Sequence, residues 1–208
     1  MISRNKLTGC VIAFATACFP MTPQANAAEE MPSVDLITSS LIRDAEDLLN
    51  SRVVHEAINA ENRKRDGLSQ SEINDLDQAW RAETSQSGAQ PFIAAALGSP
   101  ASTYLLRAQA ASKGMYYEIF VMDQLGLNVA QSSITSDFWQ GDEDKYLRTF
   151  PEGAGAVFID TPEYNADLGI WAVQVNLTID QNNTPIGVGT VEFNLTELAR
   201  RQALREGN

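Results

Sequence analysis

The sequence predicts an α+β domain built around an antiparallel sheet, and three observations predict it. Apolar residues recur every three or four positions through the first half of the chain. After residue 116 the period shifts to two. The alternating runs are then joined mainly by short hairpin-like turns carrying Gly, Asn and Asp, which connect antiparallel neighbours.

In the first half, Val34, Ile37, Leu41, Ala45 and Leu48 form one stripe, widened by Ile42, Leu49 and Val53. This spacing predicts one long amphipathic helix over about 33–60, starting near Pro32 and Ser33. Arg63 to Gly67 reads as its solvated exit. Ser69 and Glu72 have capping-box spacing and open a second helix with Ile73, Leu76, Ala79 and Trp80 on one face. Pro91 starts a short apolar helix that Gly98-Ser99-Pro100 ends, and residues 101–112 form another, closed by Gly114. About five strands follow. Residues 117–122 and 127–131 flank a turn at Asp123-Gln124-Leu125-Gly126. The stretch 134–150 is polar and aromatic with a weak helical pattern. A strand at 156–160 and a loop at 162–169 precede the last hairpin, 171–179 and 186–193, turned by the Asn-rich 180–184. Trp171, Val173, Val175, Leu177 and Ile179 share one face. A helix over 197–205 closes the chain.

The chain has 208 residues with 15 basic and 27 acidic side chains, a net charge of −12. That balance argues against nucleic acid, whose phosphates need cations. The first residues look like a secretory signal: Arg4 and Lys6, an apolar run from Leu7 to Phe19, and the small residues Ala25-Asn26-Ala27. The expectation is export to the periplasm or beyond with cleavage after Ala27, leaving 28–208 as one domain. Cleavage removes two basic residues and no acidic one, taking the charge to −14. It also removes Cys10 and Cys18, so the exported chain carries no thiol. Lipidation at Cys18 is the weaker alternative, because the usual Leu three residues earlier is missing, and an uncleaved anchor is another.

In the second half, Ile119 to Ser133 resembles the strand–turn–strand of Cache (PDC-type) extracellular sensor domains. Thr135-Ser136-Asp137-Phe138-Trp139-Gln140-Gly141-Asp142-Glu143 resembles the segment that follows the second strand in that family. Asp167-Leu168-Gly169 and the stretch from Asp180 to Val188 resemble its closing hairpin, and Leu76 to Trp80 its helical lead-in. The resemblance covers about 34–198. It implies a PAS-like fold: a long N-terminal helix beside a central antiparallel sheet of about five strands. It also implies a small ligand (an amino acid, amine or carboxylate) between the sheet and the loop-helix segment after the second strand. Relatives are mostly external parts of membrane receptors. This chain, with a signal and no membrane helix after its sheet, is expected to be a free-standing single-Cache sensor that signals through a membrane-bound protein. Its long helix offers a surface for a homodimer.

Within that frame the candidate ligand-binding residues are Trp139, Phe138 and Tyr146 as aromatic walls, Lys145 as a carboxylate partner, Asp167 as an amine partner, and Tyr117 on the first strand. Asp160 is a lesser candidate. Each also has a plain structural role open to it, as core, cover or turn. The alternative for the whole chain is an interaction protein that keeps the fold without a ligand. No cofactor and no catalytic group are expected. Asp142-Glu143-Asp144 lacks the spacing of a calcium loop and suits a solvated helix start. His55 is the only histidine, which leaves no ordinary zinc set, and no Gly-x-Ser-x-Gly elbow or P-loop is present. Asn176-Leu177-Thr178 and Asn194-Leu195-Thr196 fall in or at the ends of strands and read as chance glycosylation matches.

Overall fold

The protein's structure is a computed structural model that describes residues 30–207. The expected signal, its cleavage after Ala27, and Cys10 and Cys18 lie outside the described residues. Ser33 caps a short 3-10 turn, Val34–Leu36. Five helices follow: α1 Ser39–Leu49, α2 Arg52–Lys64, α3 Gln70–Thr84, α4 Pro91–Leu97 and α5 Pro100–Ala111. Then come β1 Tyr116–Asp123, β2 Asn128–Gln131, α6 Asp144–Leu147, β3 Val157–Ile159, β4 Glu163–Asn165, β5 Ile170–Gln181, β6 Thr184–Asn194 and α7 Leu195–Glu206. A second 3-10 turn, Phe150–Glu152, follows α6.

The expected long N-terminal helix is two helices. Ser51 takes an extended backbone (φ −69°, ψ 148°) and ends the run begun at Ser39. Leu49 and Val54 are both fully buried in the same core. A continuous helix would point side chains five positions apart about 140° away from each other. The break re-aims α2 so that both reach the sheet.

The other boundaries follow local chemistry. The capping box of α3 is present, with Ser69 and Glu72 each accepting from the other's backbone N–H. The β5–β6 hairpin turns on Asn182 and Asn183, at φ of 54° and 63°, the left-handed pair that a two-residue hairpin needs. Residues 162–169, expected to be a loop, contain β4, which pairs with β5 through Glu163–Ala172, Tyr164–Trp171 and Asn165–Ile170.

The sheet runs β2-β1-β6-β5-β3 with β4 also on β5, every pairing antiparallel. One face carries Ile119, Val121, Val173, Val175, Leu177, Ile179, Val191 and Phe193. Helices α1, α2, α5 and α7 cover it with Ala45, Leu49, Val54, Ile58, Leu105 and Leu198. A second core joins α3 and α4 to the β1–β2 turn through Ile73, Trp80, Ile93, Leu127 and Phe138. The α+β architecture with a central antiparallel sheet is the expected one, with the long N-terminal helix that the resemblance implies divided in two.

Candidate functional site

Pairing register defines the second face of the sheet. Odd-numbered residues of β5 and β6 point to the helices, so even-numbered ones point away. Three rows of directly opposed residues result: Gln174–Glu192–Glu118, then Asn176–Thr190–Phe120–Gln131, then Thr178–Val188–Met122–Asn128. Apart from Phe120, Met122 and Val188 the rows are polar. Several of these polar side chains are nonetheless buried, among them Asn176, Thr190, Gln131 and Asn128. Some satisfy one another: Thr190 Oγ1 donates to Asn176 Oδ1 at 2.7 Å, and Asn176 Nδ2 donates to the Phe158 carbonyl at 3.2 Å.

The segment from Asp137 to Glu152 forms a cover over this face. Tyr146 and Phe150 stack with ring centroids 5.3 Å apart and pack on Phe120, Met122 and Val188. Arg148 lies 3.8 Å above the Phe158 ring. Two side-chain bonds and one backbone bond to the β1–β2 turn pin the cover: Trp139 Nε1 donates to the Leu125 carbonyl at 2.9 Å, Tyr146 Oη to the Gln124 carbonyl at 2.5 Å, and the Gln140 N–H to the Gly126 carbonyl at 2.8 Å. Burial, with the nearby Asp123 charge, pushes the Tyr146 phenol up to about 12, so it stays a donor at neutral pH.

Asp77 on α3 holds the start of the cover. Its Oδ1 accepts from the backbone N–H groups of Phe138 (2.8 Å) and Trp139 (3.1 Å), and its Oδ2 pairs with Arg81 at 2.7 Å. Burial opposes its charge, but the Arg81 bond and the two N–H donors outweigh burial and hold its carboxyl below the usual range. Asp77→Ala strands two part-buried donors. It is expected to cost about 1–3 kcal/mol in urea unfolding, and a loss under about 0.5 kcal/mol would contradict the role assigned to it.

Between the cover and the first row lies a cavity of about 160 Å³ lined by Glu143, Lys145, Asp160, Thr161, Glu163, Ala172, Gln174 and Glu192. Lys145 Nζ pairs with Glu143 at 2.9 Å, donates to Gln140 Oε1 at 3.0 Å, and sits 5.5 Å over the Phe120 ring. Glu192 is partly buried beside Gln174, which hydrogen-bonds its carboxyl. Burial and then the neighbouring Glu118 charge raise its carboxyl to about 7. Glu118 is raised as well, by burial, against the pull of a 2.5 Å bond from Ser133 Oγ. Four carboxyl groups thus line the cavity against one ammonium, and that ammonium is already engaged.

Of the sequence-derived candidates, Lys145 lines the cavity, as does the lesser candidate Asp160. Tyr146 fills the middle of the covered face instead of bordering the cavity. Trp139 is a peg of the cover. Phe138 belongs to the second core, 5.4 Å from Trp80 and 4.7 Å from Phe92. Tyr117 sits beside the first row, where its hydroxyl accepts from Asn165 Nδ2 at 3.2 Å. Asp167 is exposed on the β4–β5 turn. The six are therefore not gathered around one space. Glu163, Gln174 and Glu192 went unread, although the polar alternation of Gln174, Asn176 and Thr178 opposite the apolar stripe was a visible signal of a second buried face. Larger grooves of about 470 Å³ and 400 Å³ lie between α1 and α7 and between α2 and the start of β6.

No family model matches this chain, and no curated protein matches it. Among solved structures it is similar to the E. coli DcuS sensor domain, with a TM-score of 0.45 and 15% identity over 79% of this chain and 92% of that one. It is similar to the ligand-binding domain of the Campylobacter jejuni chemoreceptor Tlp3 in complex with 4-methylisoleucine (TM-score 0.35, 12% identity, 80% of this chain and 63% of that one). It is also similar to the ligand-binding domain of the Pseudomonas aeruginosa amino acid chemoreceptor PctC in complex with GABA (0.38, 9%, 69% and 59%). The chain thus spans less than two thirds of the last two.

Proposed function

We propose that this chain is an exported single-module sensory protein of the Cache type, which binds a small amine or amino acid in the cavity between sheet and cover. Binding, without turnover, is the whole of its chemistry, and a membrane-bound sensor protein receives the result. One observation carries the reading: a cavity of about 160 Å³ lies under the loop-helix segment after β2, lined by Glu143, Asp160, Glu163 and Glu192. Its charge selects among ligand classes. At an effective dielectric of about 20, two unit charges 4 Å apart interact by about 4 kcal/mol. A bare carboxylate would be repelled by Asp160 and Glu163, which no cation of the lining pairs, whereas an ammonium would meet attraction. An amino acid's carboxylate would have to draw Lys145 away from Glu143 and Gln140, so a simple amine is the better fit. The space holds on the order of five waters at about 30 Å³ each, which limits the ligand to a few heavy atoms.

Export rests on the signal-like residues 1–27, with the domain expected to begin at residue 28. Among the described residues no helix is long and apolar enough to cross a membrane. The rival reading, a protein that keeps this architecture without a ligand, draws on Tyr146 and Phe150, which fill the centre of the covered face.

Thermal unfolding separates the two. A small amine or amino acid present at about 100 times its Kd stabilises the fold by about 2.7 kcal/mol, a rise of roughly 5–10 °C. Acetate and other plain carboxylates are expected to give none, and Glu163→Gln to weaken the amine response. No shift with any of a panel of small amines and amino acids would favour the ligand-free reading.

A further inference from the structure

We propose that Glu118 and Glu192 form a proton-binding pair beneath the cover, and that its occupancy sets how tightly residues 143–152 pack on the sheet. The two residues are direct cross-strand partners on β1 and β6, two neighbouring inner strands of the sheet. Opposed residues on one face bring their Cβ atoms within about 5.5 Å, and like charges so placed repel. Both residues are partly buried on the covered face.

The surroundings supply few counter-charges. Ser133, just after β2, donates to Glu118, and Gln174 on β5 hydrogen-bonds Glu192. From the cover, Lys145 faces both carboxyls, but it also serves Glu143 and Gln140. The other charged groups that bear on the pair are mostly acidic: Glu163 on β4 acts on Glu192, Asp137 at the start of the cover acts on Glu118 although Arg81 of α3 pairs with it at 3.1 Å, and Glu143 and Asp160 share the cavity wall. Tyr117, next along β1, is neutral, its phenol raised first by burial and then by Glu192 and Glu118. One ammonium cannot balance two adjacent carboxylates and the acids behind them. A proton held between them removes one charge and leaves Lys145 matched to the other.

Direction follows from the same geometry. Burial raises Glu192 from the ordinary 4.5 to about 7 in the folded protein. Between those two values the folded chain holds a proton that the unfolded chain has released, so this contribution to stability is complete below pH 4.5 and is lost as pH rises through 7. Above that window the charged pair repels the acids around the cavity, Glu143 of the cover among them, and this repulsion works against the bonds that hold the cover down. The proposal concerns the proton alone and holds whether or not the cavity takes an amine.

The test needs no ligand. The unfolding midpoint of the purified protein is expected to fall by roughly 4–8 °C between pH 5.5 and pH 8. Glu192→Gln, which keeps the shape and removes the charge, should flatten that profile and stand above the wild type at pH 8. Glu118→Gln should shift the Glu192 midpoint downward in a carboxyl-carbon NMR titration. Hydrogen exchange of the 143–152 amides, corrected for intrinsic rates, should be faster at pH 8 than at pH 5.5 in the wild type and unchanged in Glu192→Gln. Both carboxyls titrating below about pH 5, an unflattened Glu192→Gln profile, or pH-independent exchange of the cover would each overturn the proposal. A flat amine response with the pH profile intact would remove the ligand reading and leave this one standing.

Discussion

Arg65→Ala is expected to cost about 3–5 kcal/mol in urea unfolding, since it removes one half of a buried ion pair. Arg65 leaves the end of α2 and reaches Asp123 Oδ2 at 2.7 Å, Glu61 at 2.9 Å and the Asn128 carbonyl at 3.1 Å, with its guanidinium 5.2 Å above Phe138. Asp123 is fully buried. Without Arg65 its carboxylate keeps only neutral donors, among them the N–H groups of Leu125 and Leu127 at 2.8 Å and 3.0 Å. The same turn carries the Gln124 and Leu125 carbonyls that hold Tyr146 and Trp139. The variant should therefore loosen the cover as well as the hairpin. Arg65→Lys should recover only part of the loss, because an ammonium cannot reproduce the planar fork that spans Asp123, Glu61 and Asn128. A cost below about 1 kcal/mol would show that the pair contributes no more than a hydrophobic substitute.

Trp80→Ala is expected to cost about 3–5 kcal/mol by the same measurement. The ring is fully buried, packs 5.5 Å from Phe92 and 5.4 Å from Phe138, and donates from Nε1 to the Thr135 carbonyl at 2.9 Å. Removing it opens a void in the second core and strands a carbonyl at the entry to the cover. Trp80→Phe should lose less, since it keeps most of the apolar volume and gives up the bond. A mild Trp80→Ala would mean that α3 and α4 collapse onto the space freely.

Elements governed by neighbours in sequence were legible in it. The capping box at Ser69, the Pro91 helix start and the Asn-rich hairpin turn are each fixed within a few residues, and each forms; Pro100, read as part of the end of one helix, is the first residue of the next. The break at Ser51 was not legible, because Leu49 and Val53 suit an unbroken stripe and only the sheet beneath, which also draws in Val54, decides otherwise. Strand β4 was hidden because three residues between Pro162 and Gly169 acquire strand geometry from β5, not from their own pattern.

The site was harder still. Aromatic residues in 138–146 look alike whether they border a cavity, plug it or peg a loop, and these three do different things: Phe138 packs, Trp139 pegs, Tyr146 plugs. The acidic pair was invisible for another reason. Glu118 and Glu192 lie 74 positions apart, and only the β1–β6 register brings them opposite each other. Lys145 could be singled out because it lies in the irregular segment itself, where a cation among acids stands out.

The joint between the first two helices has a mechanical meaning. Helix α1 bears on β5, while α2 bears on β1, β2 and β6. A single stiff rod laid across those strands would oblige them to tilt together. Two shorter rods meeting at Asn50 and Ser51 let a change of twist between strands appear as bending at one elbow, where His55 and Asn50 touch at 3.2 Å.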